Sequence, residues 1–351
     1  MPEGYEVIST EGMDVLPGLW ENHAHLMLAG HANYSHWDPT YQDRFASEIM
    51  PAGAVQLLLA GITTTRDLGA PLDDSISVKS RIETGEIPGP RLFVSGPFIQ
   101  HRPYPGTEAF RWGVEGVADA RRKVKKLADA GVDIIKLIDQ DKMTLEEAQA
   151  VVDEAHAHNL KVVAHSHRPN EIRRGLAIGV DNFEHTGLTT APEYPPDVIE
   201  KLRERTATGR VAGGPLFWTP TVEGLWNYDH TVENPERLDN DCWHRGLAAS
   251  TIEDIRQSVR RPGQLAYTQL TPLRKPTLKH KFQQLREAGV VMLVGTDSGI
   301  PMKFHCQSTW NEMDVWVNVM GSDPMKTIRG ATYWSAVMMG VEDKWGTVSE
   351  G

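Results

Sequence analysis

The sequence predicts an α/β protein built as a (β/α)8 TIM-type barrel, and two observations carry that reading. The first is a repeated punctuation mark, in which a helix closes on a small residue, glycine follows, and an apolar, β-branched run begins. It occurs in "LAGITTTRD" (59–67), "ADAGVDIIKL" (128–137), "LAIGVDNFEH" (176–185) and "REAGVVMLVGTD" (286–297). Glycine there supplies the left-handed conformation that stops a helix, and the run after it suits a strand buried on both faces of a parallel sheet. The second is the count: eight strand candidates alternate with readable helices. A doubly wound open sheet is the alternative, but no glycine-rich phosphate turn follows the first strand.

In chain order the strands are "DVLPGLWENHAH" (14–25), "GITTTRD" (61–67), "PRLFVSG" (90–96), "DIIKLID" (133–139), "KVVAHSH" (161–167), "DNFEHTG" (181–187), "LFWTPTV" (216–222) and "VMLVGTD" (291–297). The clearest helix, "TLEEAQAVVDEAHAH" (144–158), opens with a capping box of Thr144 and Glu147. It carries Leu145, Ala148, Val151, Val152 and Ala155 as one apolar stripe. In "VADARRKVKKLADAG" (117–131) the residues Val117, Ala120, Val124 and Leu127 recur at helical spacing, so the basic run Arg121–Lys126 reads as a solvated face. Residues 223–246 and 260–277 read as long irregular stretches, which in a barrel overhang the C-terminal mouth as substrate walls or a lid.

Composition excludes several classes. The 351-residue chain has a net charge of -11, so DNA or RNA meets a repelling surface. No apolar run approaches the roughly 20 residues needed to cross a bilayer. The two cysteines, Cys242 and Cys306, make neither a disulfide framework nor a metal motif, and predict a reducing compartment. The start "MPEGYEVISTEG" has no signal-peptide pattern, so the expected location is cytoplasmic.

Polar residues recur where the predicted strands end. The first gives His23 and His25, the fourth Lys136, the fifth His165, the sixth His185 and the eighth Asp297. In a parallel barrel those ends converge on one mouth. His23 and His25, two apart on a strand, share a face and can both ligate one metal, whereas His156 and His158 close a helix and read as last-turn residues. Lys136 sits among apolar neighbours. It is either one half of a structural ion pair or a neutral amine able to take up carbon dioxide and, as a carbamate, bridge two metal ions. Asp297 is otherwise a turn residue, and each histidine a hydrogen-bonded core residue.

In this order, "PGLWENHAHL", the strand lysine in "IIKLID", "VVAHSH", "FEHTG" and "VGTDSG" resemble the metal-dependent amidohydrolase superfamily, in its imidazolonepropionase-like and prolidase-like (Xaa-Pro dipeptidase-like) branch. The resemblance implies a barrel with one or two divalent metal ions, usually zinc, and the strand lysine Lys136 favours two. His23, His25 and Asp297 would hold the more buried ion, His165 and His185 the second, and N6-carboxylysine at Lys136 would bridge them. His167, further out, would meet substrate. The implied reaction is hydrolysis of an amide or peptide-like C–N bond, as in a dipeptide or N-acyl amino acid, by a metal-activated hydroxide, with Asp297 handling the proton. Tyr228 is a candidate for hydrogen-bonding a substrate carboxylate or carbonyl, or else a packing aromatic; His101 and His305, in mouth loops, are candidate substrate contacts.

Rival readings keep the barrel: a lactonase or organophosphate esterase using the same metals, or a non-catalytic scaffold. Members of the family usually add a small β-sandwich, which this reading takes as largely missing: 1–14 is a remnant of its N-terminal segment, 15–340 the barrel, and 341–351 the start of a truncated C-terminal segment. The expected partners are a small-molecule substrate and further copies of the chain.

Overall fold

Parallel strands set the architecture in this computed structural model, which describes residues 9–208 and 214–349. β1 (Leu19–Ala24), β2 (Ile62–Asp67) and β3 (Arg91–Val94) pair in that order. The other strands are β4 (Phe98–Gln100), β5 (Arg111–Gly113), β6 (Ile134–Leu137), β7 (Lys161–His165), β8 (Asn182–Glu184), β9 (Phe217–Thr219) and β10 (Val291–Met292). They form a second sheet in the order β10-β9-β8-β7-β6-β4-β5, parallel throughout. Backbone contacts span both gaps between the sheets. The Asp133 N–H donates to Val94 O at 2.9 Å beside β3, and the Asn22 N–H donates to Val294 O at 3.1 Å beside β1. The result is a (β/α)8 barrel.

All eight strands read from the sequence are present as β1, β2, β3 and β6 to β10. The pair β4 and β5 is additional, and at three residues each these strands are too short to leave a periodic trace. The eighth strand is regular only at Val291–Met292, because β1 beside its continuation is itself irregular between Glu21 and Ala24.

Helices cover the strands in chain order: α1 (Tyr34–Tyr41), α2 (Met50–Leu59), α3 (Leu72–Glu83), α4 (Val117–Ala130), α5 (Leu145–Ala157), α6 (Pro169–Ile178) and α7 (Pro196–Thr208). They continue as α8 (Gly224–Glu233), α9 (Ala249–Val259), α10 (Ala266–Gln269), α11 (Thr271–Glu287), α12 (Ser308–Asn318), α13 (Pro324–Gly330) and α14 (Tyr333–Met339). The capping box at α5 forms as expected, with the Glu147 N–H donating to Thr144 Oγ1 at 3.1 Å and the Thr144 N–H to Glu147 Oε2 at 3.0 Å. On α4, Ala120, Val124 and Leu127 are buried, while Arg121 reaches Glu154 at 3.1 Å on the solvated side.

Two expectations fail. Residues 223–246 and 260–277 are not irregular: they fold as α8, 3-10 turns, α10 and the first turns of α11. Their prolines and polar runs hide the helices, and α11 keeps Pro276 inside it because Leu278, Phe282 and Leu285 bury its far face. The cysteines are also joined. Cys242 and Cys306 form a disulfide with Cα atoms 6.0 Å apart, although 64 residues separate them. Both segments cover the same end of the barrel, which cysteine count and spacing do not reveal. Cysteine usage therefore gives no support to a reducing compartment. Of the segments assigned to a small β domain, 9–14 and 341–349 form turns and irregular chain, and residues 1–8 and 350–351 lie outside the described residues. No helix among the described residues is long and apolar enough to cross a membrane.

His156, at the end of α5, bonds Asp181 at 2.9 Å and serves the outer shell. That bond raises the imidazole pKa above its ordinary 6.5. Because the folded pKa lies above the unfolded one, the contribution is complete below about pH 6.5 and fades as pH rises through the folded value. His156→Gln is therefore expected to lower stability more at pH 5.5 than at pH 8.5, as read by urea denaturation at both.

Candidate active site

Strand alternation decides which side chains enter the barrel. On β6, Ile135 and Leu137 pack outward against the helices, so Ile134 and Lys136 face inward; on β7, Val162 and Ala164 face outward and Val163 and His165 inward. Ile134, Val163, Phe217, Trp20, Phe93 and Leu293 close the floor as one apolar cluster. Above it the polar residues collect.

By the same alternation β8 turns Phe183 outward and Glu184 inward, and His185 would next point away. Its backbone instead takes φ +76°. This conformation is uncommon for a residue with a Cβ. The His185 N–H donates to Thr219 O at 2.7 Å, and the Trp218 indole N–H donates to His185 O at 2.6 Å. The imidazole is thereby turned back into the mouth, where Nδ1 meets Thr221 Oγ1 at 2.8 Å. Asp297 uses the same device, with φ +67° and its N–H donating to His23 O at 2.6 Å.

Two groups of donors result. In one, His23 Nε2 and His25 Nε2 lie 3.3 Å apart, with Asp297 Oδ1 at 3.4 Å from the first and 3.0 Å from the second. In the other, His165, His167 and His185 bring ring nitrogens within 4.8 Å of one another. The rings of His23 and His185 lie 4.8 Å apart and join the two groups. Lys136 Nζ is buried beside them without a hydrogen-bond partner among the described residues.

Burial sets the charge states. Desolvation holds His23, His165 and His185 well below the ordinary imidazole pKa, with neighbouring cations adding to it, so the rings are neutral. That is the ligating form. Burial also pushes the Lys136 amine down to about 8, against the opposing pull of Glu184 and Asp297. For Asp297 burial alone would raise the pKa, but His23 and His25 outweigh it and hold the carboxyl well below its usual range. Neutral imidazoles, an ionised carboxylate and an unpaired buried amine fit divalent metal ions as ligands. An amine left unpaired in that setting is otherwise costly.

A second layer, not foreseen from the sequence, orients the first. Glu184 Oε2 bonds His23 Nδ1 at 2.7 Å, which leaves Nε2 free toward the cavity, and Glu184 Oε1 accepts from Arg66 Nη2 at 3.0 Å. Arg66 Nε donates to Asn22 O at 2.6 Å. Glu21 accepts the His23 and Thr296 N–H groups at 2.8 Å each and the Thr309 hydroxyl at 2.7 Å, while burial raises its pKa to about 7. Lys303 pairs with buried Glu223 at 3.1 Å in the wall. The signal for Glu184 was present in "FEHTG", since strand parity sends Glu184 inward.

The enclosing cavity measures about 370 Å³. His23, His25, Lys136, His165, His167, His185, Tyr228 and Asp297 all line it. Two expected contacts do not. His305 is buried with both ring nitrogens engaged, by Leu28 O at 3.0 Å and Ser298 Oγ at 2.9 Å, so it is a packing residue. His101 follows β4 directly and stays outside the lining. His167 stands within the second histidine group, not apart from it as expected. Tyr34, Asp38, Arg111, Tyr267 and Arg274 complete the polar wall. Sequence reading missed them because they lie on α1, β5 and the helices of 260–277.

Buried donor groups of this kind at the mouth of a parallel barrel could hold metal ions. Residues 15–351 match the profile of the Amidohydrolase family, and the chain belongs to that family, whose members are hydrolases. Among solved structures it is similar to a Bifidobacterium longum protein carrying a prolidase designation, at 26% identity over 95% of this chain and 72% of that one, with a TM-score of 0.64. It shares its fold with an Xaa-Pro dipeptidase with methionine bound in the active site, at 22% identity, covering 95% and 78% of the two chains, TM-score 0.64. It shares it also with the ochratoxinase of A. niger, at 21% identity, covering 96% and 74%, TM-score 0.65. A comparison with curated proteins gives no match.

Because Glu184 bonds His23 Nδ1 and leaves Nε2 toward the cavity, Glu184→Gln is expected to weaken any divalent-metal affinity of the site by about 10- to 100-fold. Chelator competition reads this, with circular dichroism confirming the fold; an unchanged affinity would remove Glu184 from the ligand-orienting role.

Proposed function

We propose that this protein hydrolyses the C–N bond of an amide or peptide-like small molecule carrying a free carboxylate, such as a dipeptide or N-acyl amino acid, at a binuclear zinc centre. The observation that carries the proposal is two groups of metal-type donors facing one cavity, with Lys136 unpaired beside them. His23, His25 and Asp297 would hold one ion, His165 and His185 the other, and carboxylated Lys136 would bridge. Bound divalent ions supply the Lewis acidity that lowers the pKa of water and polarises a carbonyl.

The chain's own residues do the rest. Asp297, ionised and in contact with His25, accepts a proton and returns it to the leaving nitrogen. Arg111 and Arg274 each bury an Nε atom with no partner among the described residues, and both line the cavity. A substrate carboxylate would satisfy them. The Arg111 guanidinium is held flat by Phe98 at 4.8 Å and Tyr104 at 4.7 Å. The Tyr228 hydroxyl, on the same wall, is the hydrogen-bond donor toward the substrate carbonyl or carboxylate. Met27, Leu28, Ile138 and Leu188 give the acyl side chain an apolar seat. Similarity to dipeptidase structures supports the same class of substrate.

Zinc-reconstituted protein assayed on Xaa-Pro and other dipeptides, N-acyl amino acids, lactones and paraoxon is expected to turn over the first two classes. Turnover of lactones or paraoxon with none of amides would overturn the assignment. Within the active class, Arg274→Met is expected to raise KM by about 10- to 100-fold, the worth of one charged hydrogen bond, while amides without a carboxylate are little affected.

A further inference from the structure

Away from the central cavity, a third set of donors meets at another point. His31 lies just before α1, His36 lies within it, and Asp254 lies on α9, more than two hundred residues later. His36 Nε2 is 2.8 Å from Asp254 Oδ2, and His31 Nε2 is 3.8 Å from the same oxygen. The two imidazoles are 5.3 Å apart, and all three donor atoms fall within 4.8 Å of one another. A tetrahedral zinc site with bonds of roughly 2.0–2.1 Å has ligand-to-ligand edges of about 3.3 Å. The observed separations bracket that value, so a small opening at His36 and a small closing at His31 would suffice.

The surroundings suit ligation. His31 is buried against Trp37, and its Nδ1 lies 3.0 Å from the Asn33 backbone nitrogen and 3.1 Å from Asn33 O. A metal on Nε2 would take the tautomer with the proton on Nδ1, which the Asn33 carbonyl can accept. At 3.8 Å from Asp254, Nε2 is too far for a good hydrogen bond to the carboxylate. Burial keeps the His31 pKa below its ordinary value. Tyr41 donates its hydroxyl to the same Asp254 Oδ2 at 2.9 Å and holds the carboxylate in place. The His36 and Asp254 side chains are partly exposed, at 45% and 30%, which gives a metal an entry path and leaves room for a water ligand.

We propose that His31, His36 and Asp254 form a third metal site, taking a transition metal such as Zn2+ that favours imidazole over an all-oxygen cation such as Mg2+. The site shares no residue with the central donor groups. It clamps α1, which presents Tyr34 and Asp38 to the cavity, onto α9, which lies between the wall residues Tyr228 and Tyr267 in the chain. Its occupant would set how firmly the two sides of the mouth are held together, without taking part in the chemistry.

Metal-free protein is titrated with Zn2+ and with Co2+ at buffered micromolar free metal, and bound metal is counted by mass spectrometry for the wild type, His36→Gln and Asp254→Asn. His36 is half exposed, so its variant keeps the fold. Each variant is expected to bind one equivalent fewer than wild type, to lose part of the visible Co2+ absorbance, and to lose part of the rise in Tm that Zn2+ gives. Equal stoichiometry and equal Co2+ spectra in wild type and His36→Gln would overturn the site.

Discussion

Glu184 holds His23 at 2.7 Å on one oxygen and Arg66 at 3.0 Å on the other, with all three side chains removed from water. Those residues come from β8, β1 and β2, so the contact ties strands across the barrel. A buried ion pair brings little net stability once its desolvation is counted, but breaking one leaves a bare charge and is strongly destabilising. The pair therefore acts as a constraint: the strands must keep the register that lets Arg66, Glu184 and His23 meet. His23 has its Nε2 aimed into the cavity as a consequence of that fold-level requirement, and His25 and Asp297 gather around it.

The remainder of the mouth accepts local costs in return for placement. Two left-handed residues, His185 and Asp297, stand where strand geometry would send their side chains elsewhere. Among the described residues, buried amine and guanidinium nitrogens have no hydrogen-bond partner there, at Lys136, Arg111 and Arg274. Unsatisfied groups of this kind are rare in a finished core and cluster where a ligand completes the structure. An apolar cluster beneath them closes the floor, and the helices outside are held by ordinary packing.

How much of this was legible depends on the range of the interaction that fixes each residue. His23, His25, Lys136, His165 and Asp297 were readable because they follow apolar strand runs, and parallel strand ends converge. His185 was named from the same pattern, yet strand parity alone would have chosen Glu184; only the left-handed turn reconciles the two. His305 looked like a mouth residue until Leu28 and Ser298 took both its nitrogens. The wall built by α8, α10 and α11 was illegible, since prolines at 272 and 276 mask helices that tertiary burial enforces. The bond between Cys242 and Cys306 was equally hidden, because it depends on two covering segments meeting in space.

The proposed carbamate bridge at Lys136 makes a pair of metal ions, as opposed to a single one, depend on that amine. Its most direct test is metal content in the His36→Gln background, which removes the His31, His36 and Asp254 donors from the count. With Lys136 intact, about two equivalents of zinc per chain are predicted after reconstitution in the presence of bicarbonate, and Lys136→Ala should retain about one or fewer. Two equivalents retained in Lys136→Ala, or none bound with Lys136 in place, would contradict the account.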